Sequence, residues 1–128
     1  MYKYNAKVLK VIDGDTVDLE IDLGFKISFK TRVRLIGIDT PEKWHPYGKV
    51  VKAYLQQEIE GKDIYLDVTK KDKYGRYLVK LYKEQGDLLS INNILINQGM
   101  AKAYHGGSRD GSWTEEELER ADHPLLNK

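Results

Sequence analysis

Three short segments hold the residues whose types and spacing suit them to chemistry: IDGDT at Ile12–Thr16, RLIGIDTPE at Arg34–Glu42 and DKYGRYL at Asp72–Leu78. Asp15 and Asp39 are hard oxygen donors, and the Thr40 carbonyl is a third. Such donors suit Ca²⁺ or Mg²⁺, with water and a substrate oxygen completing the shell. Glu42 follows at once and is placed to take a proton from water. Arg34 and Arg76 offer the planar, forked donors that match a phosphate. A metal, a base and two arginines are the parts that phosphodiester hydrolysis needs. The phosphate repels a nucleophile, so its charge must be neutralised and the water aligned. Each segment also has a plainer reading. Asp-Gly is ordinary hairpin chemistry, Thr-Pro-Glu leads into a helix, and Tyr-Gly makes a turn. The chemical reading comes from having all three in one chain.

Those segments need elements to carry them. Residues 16–23 alternate strictly, with Val17, Leu19, Ile21 and Leu23 on one side and Thr16, Asp18, Glu20 and Asp22 on the other. That is a half-buried strand. Residues 6–12 read as its hairpin partner across Asp13-Gly14. Residues 27–38 form a third strand after a turn at Gly24. Arg34 and Asp39 are five positions apart, so a regular strand would face them oppositely; Gly37 offers the bend that brings them to one side. Tyr47, Val50, Val51, Tyr54, Leu55 and Ile59 then recur at helical spacing over 47–60, with Gly61 as the stop. Ile64, Leu66 and Val68 mark a fourth strand, and residues 77–82 a fifth. Residues 88–98 read as a second helix, with Leu88, Ile91 and Leu95 on its apolar face. Residues 106–112 are loop. A third short helix starts near Thr114, where Thr114 and Glu117 form a capping box flanked by Trp113 and Leu118.

Three strands, a helix, two strands and two helices predict an α+β chain. Its core would be a five-stranded Greek-key barrel of the OB type with three helices, since closure removes exposed strand edges. The length of 128 residues fits one domain, 1–128, and shows no repeats. The absence of cysteine excludes disulfides and thiolate metal sites. No apolar run near the start resembles a signal peptide or a membrane span, which predicts a cytoplasmic, monomeric protein with no membrane partner. Net charge is only +1. Local imbalance is larger: Lys26, Lys30, Arg32 and Arg34 stand without an acid, and Lys70, Lys71, Lys73 and Arg76 surround Asp72. A basic binding face and ordinary solvated strands fit that pattern equally well.

The order and spacing of IDGDT, R-x-x-x-x-D-T-P-E and D-K-Y-G-R resemble the staphylococcal nuclease (thermonuclease) family, from about Val8 to Tyr104. The resemblance implies Ca²⁺ held by Asp15, Asp39 and the Thr40 carbonyl, with Asp13 supporting the metal site. It implies Glu42 as the general base and Arg34 and Arg76 as the phosphate-binding arginines. Lys73 and Tyr74 match positions that contact the nucleotide, and Tyr104 lies near a base-stacking tyrosine. The implied activity is Ca²⁺-dependent cleavage of DNA and RNA that leaves 3′-phosphate ends. Departures are also visible. The chain is less basic than the best-known members, so binding to long polymers should be weaker and more salt-sensitive. The loop KWHPY is short, which leaves Trp44 and His45 either to stack on a base or to cover a core edge. His105 and His123 read as surface residues, because hard cations prefer oxygen. Two rivals stay open. One is a barrel that binds nucleic acid without catalysis, and retention of the acids and both arginines argues against it. The other is a nuclease directed at one specific nucleic-acid structure.

Overall fold

The computed structural model of the chain describes residues 2–42 and 44–104. The strands are β1 (Tyr2–Asp13), β2 (Thr16–Asp22), β3 (Ser28–Leu35), β4 (Ile38–Asp39), β5 (Asp63–Lys71), β6 (Tyr77–Tyr82) and β7 (Lys102–Ala103). The helices are α1 (Pro46–Ile59), between β4 and β5, and α2 (Ile91–Asn97), after β6. Five strands close into a barrel in the order β1-β2-β3-β6-β5, with β5 returning to β1. Neighbours are antiparallel except β3 and β6, which run parallel at Val33–Leu35. This is the OB-type barrel that the alternation predicts. The third helix near Thr114, the 106–112 loop, His105 and His123 lie outside the described residues.

Inward residues fill the barrel: Val8, Val11, Val17, Leu19, Val33, Leu35, Leu66, Val79 and Leu81 have no exposed surface. Burial of each such side chain stabilises the fold by roughly 1.5–3 kcal/mol. Helix α1 closes one end with Tyr47, Val51, Leu55 and Ile59, the stripe its spacing predicts. The Tyr47 hydroxyl donates to the Gly99 carbonyl at 2.8 Å, and burial pushes its phenol up to about 12. After α1, the Glu60 carboxylate accepts the Val11 N–H at 2.9 Å, where β1 shifts register against β2.

Element ends differ from the sequence reading for local reasons. Leu23 lies beyond β2 and is exposed, because the chain has already turned: the Gly24 N–H donates to the Asp22 carboxylate at 2.8 Å. Helix α2 starts three residues later than expected. Ser90 caps it by accepting the Asn93 N–H at 3.1 Å, which leaves Leu88 outside the helix and 98% exposed. The long third strand is really two, β3 and β4, parted at Ile36-Gly37. No helix among the described residues is long and apolar enough to cross a membrane.

Candidate active site

The site begins at the tight β1–β2 turn, Gly14-Asp15. Its position is locked by the neighbouring strand, since the Leu35 N–H donates to the Asp15 carbonyl at 2.8 Å. Arg34 lies opposite Thr16 in register, which aims its side chain at the same turn. One guanidinium nitrogen, Nη2, sits 3.4 Å from Asp15 Oδ2. The other, Nη1, donates to the carbonyls of Leu35 at 3.2 Å and Ile38 at 3.4 Å. Arg34 therefore bridges the Asp15 carboxylate and the backbone that leads to Asp39.

That backbone turns at Gly37, whose φ of +80° lies in the region that favours glycine. Past the turn, Asp39 and Thr40 are buried. Four hydrogen bonds hold it. Asn92 Nδ2 donates to the carbonyls of Ile36 at 2.8 Å and Val79 at 3.0 Å, the Ile36 N–H donates to Val79 at 2.9 Å, and the Tyr104 N–H donates to Gly37 at 2.9 Å. The same asparagine accepts the Leu81 N–H at 3.1 Å. Asn92 thus ties α2, β6 and the β3–β4 turn together. Asp39 itself pairs through its backbone with Lys102.

Glu42 is fixed from the other side by α1. Its carbonyl accepts the His45 N–H at 2.9 Å. His45 Nδ1 then accepts the Tyr47 N–H at 3.0 Å and so serves as the helix cap. Trp44 beside it is exposed, with its ring edge-to-face on His45 at 6.0 Å. Helix and loop approach so closely that a Cβ on Gly48 would lie 1.9 Å from the Glu42 carbonyl oxygen. Only glycine fits there.

The opposite wall is the β5–β6 turn. One oxygen of Asp72 accepts the N–H groups of Tyr74 and Arg76, each at 2.9 Å, and the other accepts Arg76 Nε at 2.8 Å. Burial works against ionising Asp72, but these hydrogen bonds from Arg76 and Tyr74 together outweigh it and hold the carboxyl below its ordinary 3.8. The Arg76 guanidinium lies 5.7 Å and the Lys73 ammonium 5.3 Å from the centre of the Tyr74 ring.

Both walls face one cleft of about 1010 Å³. Asp13, Asp15, Arg34, Thr40, Glu42, Lys73, Tyr74, Arg76 and Tyr104 all line it, with Lys70, Lys71 and Asp72 beside them. Asp39 is buried next to Thr40 in sequence and does not line the cleft. A second cleft, of about 720 Å³, is lined by mixed charges such as Lys7, Glu20, Asp22 and Lys83 and holds none of the motif residues. Within the basic run 26–34, two residues pair across strands: Arg32 meets Asp18 at 2.8 Å and Lys30 meets Glu20 at 3.9 Å. There the plainer reading of solvated strands holds.

Among the described residues, no group of three or more His, Cys, Asp or Glu is gathered to hold a metal ion. The donors on offer are all oxygen: the Asp15 carboxylate and the Thr40 backbone at the cleft, with the buried Asp39 adjoining. That set fits a hard cation that keeps several waters and takes a substrate oxygen. Gly48, Asn92 and Asp72 carry no role in the sequence reading. Their signals were faint: a glycine inside a helix, an asparagine between apolar helix residues, and an acid two positions before a Tyr-Gly turn.

Comparison with known proteins follows the same lines. A profile of the family described as "Staphylococcal nuclease homologue" matches residues 32–124. A protein named micrococcal nuclease from Shigella flexneri is 30% identical over 124 residues, covering 91% of this chain and 68% of that one. An uncharacterized endonuclease of Haemophilus influenzae is 35% identical, covering 84% of this chain and 57% of its own length. Another uncharacterized endonuclease, from Escherichia coli, is 28% identical, covering 83% and 65%. The chain therefore spans about three fifths of the length of several curated relatives it matches, between 57% and 65%.

Proposed function

The chain belongs to the staphylococcal nuclease homologue family, and from that premise we propose that it is a Ca²⁺-dependent nuclease that hydrolyses phosphodiester bonds of DNA, RNA or both and leaves 3′-phosphate ends. The observation that carries this reading is the shared cleft: the acid-bearing turn and Glu42 on one wall, and Arg76 on the other, with Arg34 between them.

Asp15, Asp39 and the Thr40 carbonyl would hold the cation, with Asp13 supporting, and the ion supplies positive charge beside the phosphate when bound. Glu42 orients the attacking water and accepts its proton. The new bond joins the water oxygen to phosphorus, and the bond from phosphorus to the 5′ oxygen breaks. The 5′ oxygen leaves in line and takes a proton from solvent, so the phosphate stays on the 3′ side. Arg34 is held in advance by Asp15 and two carbonyls, so it stabilises charge building on the phosphate oxygens without first being ordered. Arg76 is anchored through Nε to Asp72, which leaves its Nη groups for the phosphate. Lys73, Tyr74 and Tyr104 line the cleft where they would meet the nucleotide.

The test is incubation with a single-stranded oligonucleotide in Ca²⁺, with and without chelator. Cleavage should stop with chelator and fall by about 10²–10³ in Arg34→Ala or Arg76→Ala, the range for losing one preorganised donor. Wild-type rates in both variants would remove their roles. Tight binding without cleavage and without Ca²⁺ dependence would instead make the chain a nucleic-acid-binding module.

A further inference from the structure

Strand β3 pairs with β2 from Ser28 to Arg34 but with β6 only at Val33–Leu35. Residues 28–32 therefore present an open strand edge on the β6 side, next to where β6 starts. Two aromatic rings meet there. Phe29 stands edge-on to Tyr77, with centroids 6.5 Å apart and planes at 87°, and Phe29 is 43% exposed. The Lys71 ammonium lies 4.9 Å from the Tyr77 ring centre, and Lys71 also lines the cleft. It joins the two places.

Lys30, Arg32, Arg76 and Lys83 each meet a carboxylate. Lys70, Lys71 and Lys73 are exposed and form no ion pair among the described residues. Unpaired ammonium groups interleaved with aromatic faces suit one ligand chemistry: a single strand whose phosphates meet the lysines and whose unstacked bases meet the rings. A duplex hides its base faces and gains nothing from the rings.

We propose that Phe29, Lys71 and Tyr77 form a second subsite that binds single-stranded polynucleotide outside the scissile phosphate, with a base on the exposed face of Phe29 and a phosphate on Lys71. The proposal rests on the nuclease reading only for its direction along the strand. It makes this chain favour single strands several nucleotides long over short fragments and over duplex.

The test compares a dinucleotide, a single-stranded 12-mer and the matching duplex for wild type, Phe29→Ala, Phe29→Trp and Lys71→Gln. Each protein is read by fluorescence anisotropy in Ca²⁺-free buffer and by cleavage in Ca²⁺. Phe29→Ala should weaken 12-mer binding about fivefold, the low end for losing one stacked base, and Phe29→Trp should restore it. Lys71→Gln should lower the slope of log affinity against log salt by about 0.7, the value for one phosphate on a single strand. Phe29→Ala should alter neither dinucleotide cleavage nor duplex binding. Equal losses on dinucleotide and 12-mer, or unchanged 12-mer binding in both Phe29→Ala and Lys71→Gln, would overturn the subsite. Anisotropy reads the subsite even if wild type cleaves nothing, so failure of the nuclease reading shows separately.

Discussion

Asp15, Asp39 and Thr40 are 7%, 4% and 3% exposed, and the backbone that carries them is hydrogen-bonded to β3, β6 and α2. Across the cleft, Tyr74 is 73% exposed on a surface turn held by hydrogen bonds to its own Asp72. The acid wall is therefore an extension of the core. The basic wall is a local structure that holds itself. Preorganisation costs most where charged groups are held out of water, as the buried Asp15 and Asp39 are. An exposed turn with long cationic side chains adapts to a flexible strand at little cost. Damage should follow the same division: core changes far from the cleft should disable the acid wall, while only local changes should disable the basic one.

The largest effect should come from Gly48→Ala. The added Cβ cannot share space with the Glu42 carbonyl, so either the helix or the Glu42 segment must move. Cleavage should fall at least about 10²-fold, the scale expected for a displacement of an ångström at a catalytic group. Stability should fall by about 1–3 kcal/mol from overpacking. Rate measurements at a temperature where circular dichroism shows the variant folded separate the two. Near-wild-type cleavage would mean that Glu42 does not depend on α1 for its place.

Asn92→Leu comes next. It removes the Asn92 side-chain partner of the Leu81 N–H and the Ile36 carbonyl, while the Val79 carbonyl keeps the Ile36 N–H. The expected loss is about 2–4 kcal/mol in urea unfolding, from stranding buried polar groups. Cation affinity should weaken too, because the β3–β4 turn that leads to Asp39 is released.

The smallest effect belongs to the basic wall. Asp72→Asn should reduce kcat/KM about tenfold by loosening Arg76, one lost charge-assisted contact, while Tm barely moves. Its pH dependence has a definite sign. The folded carboxyl lies below its ordinary 3.8, so the contribution of the ionised turn is present above that value and is lost as pH falls through the lower folded one. Amide resonances of Tyr74 and Arg76 should keep their native shifts down to about pH 4 and move below it in wild type. In Asp72→Asn they should show no such transition.

Much of this was legible in the chain. Alternation in Thr16–Asp22 and the helical stripe from Tyr47 to Ile59 reflect one-sided burial, which leaves a direct mark on sequence. The three motif segments announce the cleft because turns concentrate functional side chains within a few residues of one another. What stayed hidden depends on distance. Gly48 matters because Glu42's backbone presses on it, and Asn92 because three backbone groups converge on it; neither partner is encoded nearby. The run Lys26 to Arg34 fitted a basic face and solvated strands equally well, because the acids that pair with Arg32 and Lys30, Asp18 and Glu20, lie on the neighbouring strand. Leu88 fitted the helical period, but Ser90 supplied a better cap and the helix began after it.

Calcium titration by calorimetry, run beside the cleavage assay on wild type, Asp39→Asn and Arg76→Ala, tests the division between the walls most directly. Asp39→Asn should lose both cation binding and cleavage, whereas Arg76→Ala should bind the cation as wild type does and still fail to cleave. Wild-type cleavage by Asp39→Asn, or equal loss of cation binding in the two variants, would contradict the account.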